Sequence, residues 1–254
     1  MSCNQLEDKT CADCAALTKK NKLLLVLDLD NTLVETVSSE QGLRFSQANP
    51  QIDSWFWLDL ENIGLLYVKL RPYAQEFLHR LSELYHIVLY TMGSRAYASG
   101  VLSILDRKGQ YVKEIIAQED HRRLNGRTIF KRLHGCQCRH RYVVMVDDQP
   151  VVWQDRRNLL NIPSYSPVAR YLYFEDLHQQ QQQQQDTAES KKLQPPIGKF
   201  YDKDNYLDVF GGLLILISRT FYQYYPSASN ATVRDVMCII RDTLSLDKDK
   251  YKVI

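Results

Sequence analysis

Two carboxylates with a single residue between them, Asp28 and Asp30, follow directly on Leu23-Leu24-Leu25-Val26-Leu27. Burying such a pair is costly unless a cation or hydrogen-bond donors meet it. Five branched aliphatics in a row read as a strand covered on both faces. In open α/β sheets, ligands gather beyond the carboxyl ends of the strands. The pair therefore reads as a metal-dependent site. The competing reading is a polar loop start, for which Asp and Asn are ordinary residues. Further reactive types close or precede other apolar runs: Thr91 after residues 86–90, Lys131 ahead of residues 142–146, and Asp147-Asp148 after them.

These groups need elements to bring them together. Residues 23–27, 86–90, 114–117 and 142–146 are predicted strands. Arg71-Pro72 opens a predicted helix with Phe77, Leu78, Leu81 and Leu84 at helical spacing. Ser94 is placed to cap a second, carrying Ala98, Val101, Leu102 and Leu105. Strands alternating with helices predict an α/β fold, a Rossmann-like parallel sheet with right-handed crossovers. Two β-prone runs, 55–60 and 65–70, flank a four-residue connection and predict a β-hairpin flap over the strand ends. Residues 40–52, with Gly42, Asn49 and Pro50, read as polar turns. A glutamine run from Gln179 to Gln185 opens a low-complexity stretch, and two helical patterns beyond it form a C-terminal helical appendix. The expected units are a Cys-containing segment (1–21), a catalytic domain (22–178), a linker (179–199) and the appendix (200–254).

A chain of 254 residues with 44% hydrophobic content can build a sizeable core. A net charge of +2 gives no argument for direct contact with nucleic acid. The most apolar stretch, residues 209–217, is about half the length needed to span a bilayer, so no membrane partner is expected. Six cysteines lack the spacing of a disulfide framework, which points to a reducing compartment. Of these, Cys3, Cys11 and Cys14 offer too few ligands for a closed zinc site, and free thiols are the expectation.

Leu27-Asp28-Leu29-Asp30-Asn31-Thr32, with Thr91, Lys131 and the acidic pair in that order, resembles the haloacid dehalogenase superfamily. Within it, Lys69-Leu70-Arg71-Pro72, Tyr90-Thr91-Met92-Gly93-Ser94-Arg95 and Asp147-Asp148-Gln149-Pro150-Val151-Val152-Trp153 are similar to the TFIIF-associated branch of RNA polymerase II C-terminal-domain (CTD) phosphatases. The resemblance runs over about residues 22–176 and, more weakly, over the helix that follows. It departs at Gln149, where the branch carries Arg, and no BRCT domain follows among these residues. Targeting is then expected from the catalytic domain or a partner.

What the resemblance implies is a Mg²⁺-dependent protein serine/threonine phosphatase in the nucleus. Its partners would be the phosphorylated CTD of the largest polymerase subunit and general transcription factors. Asp28 would be the nucleophile and Asp30 the general acid. Thr91 and Lys131 would hold the phosphoryl oxygens, and Arg71 is either a second phosphate clamp or a helix-start residue in a salt bridge. Mg²⁺ would be held by Asp28, the main-chain carbonyl of Asp30, and Asp148. Asp147 is either a further ligand or the residue that orients Lys131. Lys131 could instead belong to a solvated basic face with Arg127 and Arg132. The alternatives to this function are a phosphatase for another phosphoprotein and a non-catalytic peptide-binding member of the superfamily.

Overall fold

In a computed structural model of the chain, residues 12–61, 63–120, 130–133, 140–184, 200, 202–225 and 232–246 are described. A short helix α1 (Ala12–Lys19) leads into β1 (Leu23–Leu27), every residue of which is buried. The chain then leaves the main sheet for β2 (Val34–Ser38), α2 (Ser39–Ala48), β3 (Trp55–Leu60) and β4 (Gly64–Leu70). It returns through α3 (Ala74–Ser82), β5 (Tyr85–Tyr90), α4 (Arg95–Leu105) and β6 (Val112–Ile116). Strands β7 (Val143–Asp147) and β8 (Leu159–Asn161) complete the sheet, and α5 (Pro167–Gln184), α6 (Tyr206–Tyr224) and α7 (Val233–Leu246) follow.

The main sheet has five parallel strands in the order β6-β5-β1-β7-β8. The expected parallel α/β architecture is therefore present, with β1 at its centre. Register does the positioning. Leu27 pairs with Leu89 on one side and Val146 on the other, so the residues that follow all three emerge at one edge. Asp28 stays locked to that edge by donating its N–H to the Val146 carbonyl at 3.0 Å.

The expected hairpin is part of a larger insertion. β4 pairs with β3 on one side and with β2 on the other, making a three-stranded antiparallel sheet. Nor is the stretch after Ser38 a loop. Ser38 accepts from the N–H of Gln41, whose side chain reaches back to Ser38, a capping box that starts α2. Gly42 sits inside this helix because a Cβ there would come within 2.2 Å of the Tyr67 side chain. The third expected strand begins two residues earlier than its apolar run, at Val112.

One further difference concerns the C-terminal half. Helix α5 continues through Gln184, so the first six residues assigned to a low-complexity linker are helical. Glutamine is a fair helix former, and here it extends turns already anchored by buried Val168 and Leu172. The two N–H groups that open this helix, at Val168 and Ala169, are met by the buried Glu35 carboxylate at 2.6 and 2.8 Å. Helix α6 packs on α3, and Leu207, Leu214, Ile217 and Phe221 belong to the same core as the sheet. No helix among the described residues is long and apolar enough to cross a membrane. Cys3, Cys11, Cys136, Cys138 and Arg127 lie outside the described residues, as does the Cys14 side chain.

Candidate active site

Asp28 is 6% exposed, directly beyond the central strand. One of its oxygens accepts from Lys131 Nζ at 2.5 Å and the other from Thr32 Oγ1 at 3.0 Å. Lys131 enters from outside the sheet order. A single β-bridge to Trp153 holds its backbone, with its N–H donating to the Val152 carbonyl and its carbonyl accepting from Gln154. The side chain is 1% exposed, so Lys131 is no part of a solvated basic face. It donates also to Asp147 Oδ2 at 2.6 Å and lies 5.7 Å from the Tyr90 ring and 5.5 Å from that of Trp153. Paired carboxylates and aromatic faces are what allow a buried ammonium to stay charged. Burial pulls it down, but Asp28 and Asp147 outweigh that and hold it above the ordinary lysine range.

Asp30 faces a different set of donors. Tyr97 OH donates to its Oδ1 at 2.5 Å and Thr91 Oγ1 to its Oδ2 at 3.3 Å. With its one proton given to Asp30, the Tyr97 phenol accepts from Thr36 Oγ1 at 2.7 Å, which ties the carboxyl to the inserted sheet. The two carboxylates two residues apart thus have separate partners: an ammonium for Asp28, hydroxyls for Asp30. Burial pushes the Asp28 carboxyl up to about 7, with Lys131 pulling against it. Burial also raises Asp30, opposed by the hydrogen bonds from Tyr97 and Thr91. A raised carboxyl with only neutral donors around it suits a group that must hold a proton near neutrality.

Asp28, Asp147 and Asp148 each present one oxygen within 4.8 Å of the others. The side chain of Asp30 is not among them. Three crowded carboxylates with oxygen donors only are a set suited to a hard divalent cation. Asp148 is raised by burial, with the Ser164 hydroxyl pulling against it. Asp147 is the most engaged of the three: it accepts from Lys131, from Trp153 Nε1 at 2.8 Å and from the Gln149 N–H at 2.7 Å. Its geometry is that of a residue orienting Lys131. Gln149 contributes that backbone N–H, while its side chain is exposed.

Arg71 departs from the phosphate-clamp expectation. It is 1% exposed, and its guanidinium is taken up by both oxygens of Asp204 at 2.8 and 2.9 Å, by the Thr32 carbonyl and by the Pro163 carbonyl. The salt-bridge alternative is the one realised, with a partner more than a hundred residues away. Four contributors had been given no role of their own from the sequence. Thr32, Tyr97 and Trp153 each hydrogen-bond a candidate carboxylate, and the Ser164 hydroxyl interacts with that of Asp148. Only Tyr97 carried a usable signal, standing within the first turn of the helix that Ser94 caps, on the side that follows Thr91.

Residues 23–183 match the model of a family described as NLI interacting factor-like phosphatase. A protein of Encephalitozoon cuniculi described as an RNA polymerase II C-terminal domain phosphatase is 33% identical over 185 residues, which cover 72% of this chain and 42% of that protein. The human protein of the same description is 29% identical over 182 residues, covering 69% and 17% respectively. The chain thus spans less than half the length of these curated relatives. A solved structure of Fcp1, described as an essential RNA polymerase II CTD phosphatase, aligns with a TM-score of 0.71 at 22% identity, over 91% of this chain and 73% of that one. That likeness bears on the fold.

Proposed function

Because the chain belongs to the NLI interacting factor-like phosphatase family, we propose that it is a Mg²⁺-dependent phosphatase. Its substrate would be phosphoserine or phosphothreonine in the RNA polymerase II CTD, and its place of action the nucleus. The observation that carries this reading is the division of labour between Asp28, bonded to a buried ammonium, and Asp30, bonded to hydroxyls. The described relatives supply the substrate class.

An Asp28 oxygen attacks phosphorus, and the ester oxygen leaves as an alcohol with the Asp30 proton. Water then attacks the aspartyl-phosphate, giving its proton back to Asp30. Lys131 and the Thr91 hydroxyl hold the non-bridging oxygens as charge builds on them. Asp28, Asp148 and the Asp30 carbonyl would hold Mg²⁺. When bound, the ion neutralises the repulsion between these carboxylates and an incoming dianion.

Two experiments test this. Hydrolysis of an aryl phosphate is expected with Mg²⁺ and is expected to vanish in EDTA. Heptad peptides phosphorylated on serine should then be cleaved in preference to unrelated phosphopeptides. Equal cleavage of both would assign another phosphoprotein as substrate, and binding of heptads without cleavage would favour a non-catalytic module. A variant separates the two carboxyl roles. Tyr97→Phe removes the phenol that fixes Asp30, so turnover of a phosphoserine peptide should fall about tenfold. An aryl phosphate, whose leaving oxygen needs little protonation, should be affected far less. The ratio of the two kcat values is the measurement.

A further inference from the structure

Arg71 lies between the segment that carries Asp28 and the segment after β8, which runs beside the Asp147-Asp148 pair. Its Nη1 donates to the Thr32 carbonyl at 3.1 Å, and Thr32 Oγ1 in turn holds Asp28. Its Nη2 donates to the Pro163 carbonyl at 2.9 Å; just before it the Ile162 N–H donates to the Asp147 carbonyl at 3.1 Å, and just after it the Ser164 hydroxyl interacts with the Asp148 carboxyl. The segments are also stitched by the Tyr165 N–H, which donates to the Asn31 carbonyl at 2.8 Å. What fixes Arg71 itself comes from far along the chain. Asp204, just before α6, grips Nε and Nη2 in a two-pronged ion pair. The rings of Tyr165 and Tyr206 lie 5.3 and 5.7 Å from the guanidinium. Beside it Asp202 meets the fully buried Lys69 at 2.9 Å, so the segment is anchored by two ion pairs.

A buried guanidinium that loses the one carboxylate paired with it among the described residues cannot stay where it is, since the uncompensated charge must find water or another partner. Its carbonyl contacts move with it. We propose that Asp204 is a positioning residue for the metal site. Through Arg71 it holds the Thr32 and Pro163 carbonyls, and so sets the separation of Asp28 and Asp148. The segment leading into the C-terminal helices thereby acts on cation affinity without touching the cation. This rests on the reading of the acidic cluster as a divalent-cation site.

The test is direct Mn²⁺ binding, by electron paramagnetic resonance of the free ion and by calorimetry, without substrate. Measurements are made well below the melting temperature of each protein. Wild type and Asp208→Asn, which loses only an exposed partner of Arg80, should bind alike. Asp148→Asn should bind far more weakly. Asp204→Asn should raise Kd about tenfold, the usual range for residues that orient ligands. Asp204→Glu should recover most of that by keeping the charged fork. If Asp204→Asn does not fold, Arg71→Lys carries the test, because it keeps the charge and loses the fork, and it should also raise Kd several-fold. A Kd for Asp204→Asn (or for Arg71→Lys in its place) equal to wild type overturns the proposal and leaves the metal site standing. A wild type that takes up no Mn²⁺, or an Asp148→Asn protein that binds like wild type, overturns the metal-site reading and this proposal with it.

Discussion

Asp28→Asn should hydrolyse an aryl phosphate at least about a thousandfold more slowly than wild type, and it should still be folded. The amide cannot form the acyl-phosphate, so residual turnover would measure what the remaining groups do by positioning alone. The fold should survive because the change removes a charge whose burial is unfavourable. The Asp28 carboxyl is already pushed up to about 7. The Asn carbonyl oxygen can still accept from Lys131, its NH2 can donate to the Thr32 hydroxyl oxygen, and Lys131 keeps Asp147. A melting temperature within a few degrees of wild type, with turnover lost, is the expected pair of results. Comparable turnover by the variant would remove Asp28 from the role of nucleophile.

Replacing the cation has the opposite signature. Lys131→Met fills similar space but leaves two buried carboxylates, Asp28 and Asp147, with no ammonium between them. Removing one partner from a buried ion pair typically costs about 3–5 kcal/mol. Urea unfolding should therefore show a clear loss of stability, alongside a drop in kcat of about 100-fold or more. Activity lost with stability untouched would mean that the pairing seen between these groups contributes nothing to the fold. Stability lost with activity retained would separate Lys131 from the phosphoryl group.

The strand-end residues were readable because each follows or precedes an apolar run of a length that only a buried strand accounts for. Asp28, Thr91 and Asp147 lie where that reasoning puts them, at one edge of one parallel sheet. Arg71 was not readable. Whether a helix-start arginine meets phosphate or a carboxylate depends on a partner supplied by a segment 133 residues away, and no local pattern reports that. Strand β2 was too short to show alternation. Ser38 and Gln41 have the spacing of a capping box, but the stretch was read as turns from Gly42, Asn49, Pro50 and the polar residues around them. That glycine is explained only by the ring of Tyr67 lying against it. Trp153 was read as part of a motif, and its job became clear only from where its indole N–H points.

The helical glutamine run has a consequence of a different kind. A tract of one residue type has no register, so a copy gained or lost leaves the remaining side chains chemically the same. The phase of the helix does change. Each glutamine added to α5 would advance its end by about 1.5 Å and turn it by about 100°. Chains differing only in tract length would thus launch whatever follows Gln184 in different directions, while the candidate site residues upstream kept their places.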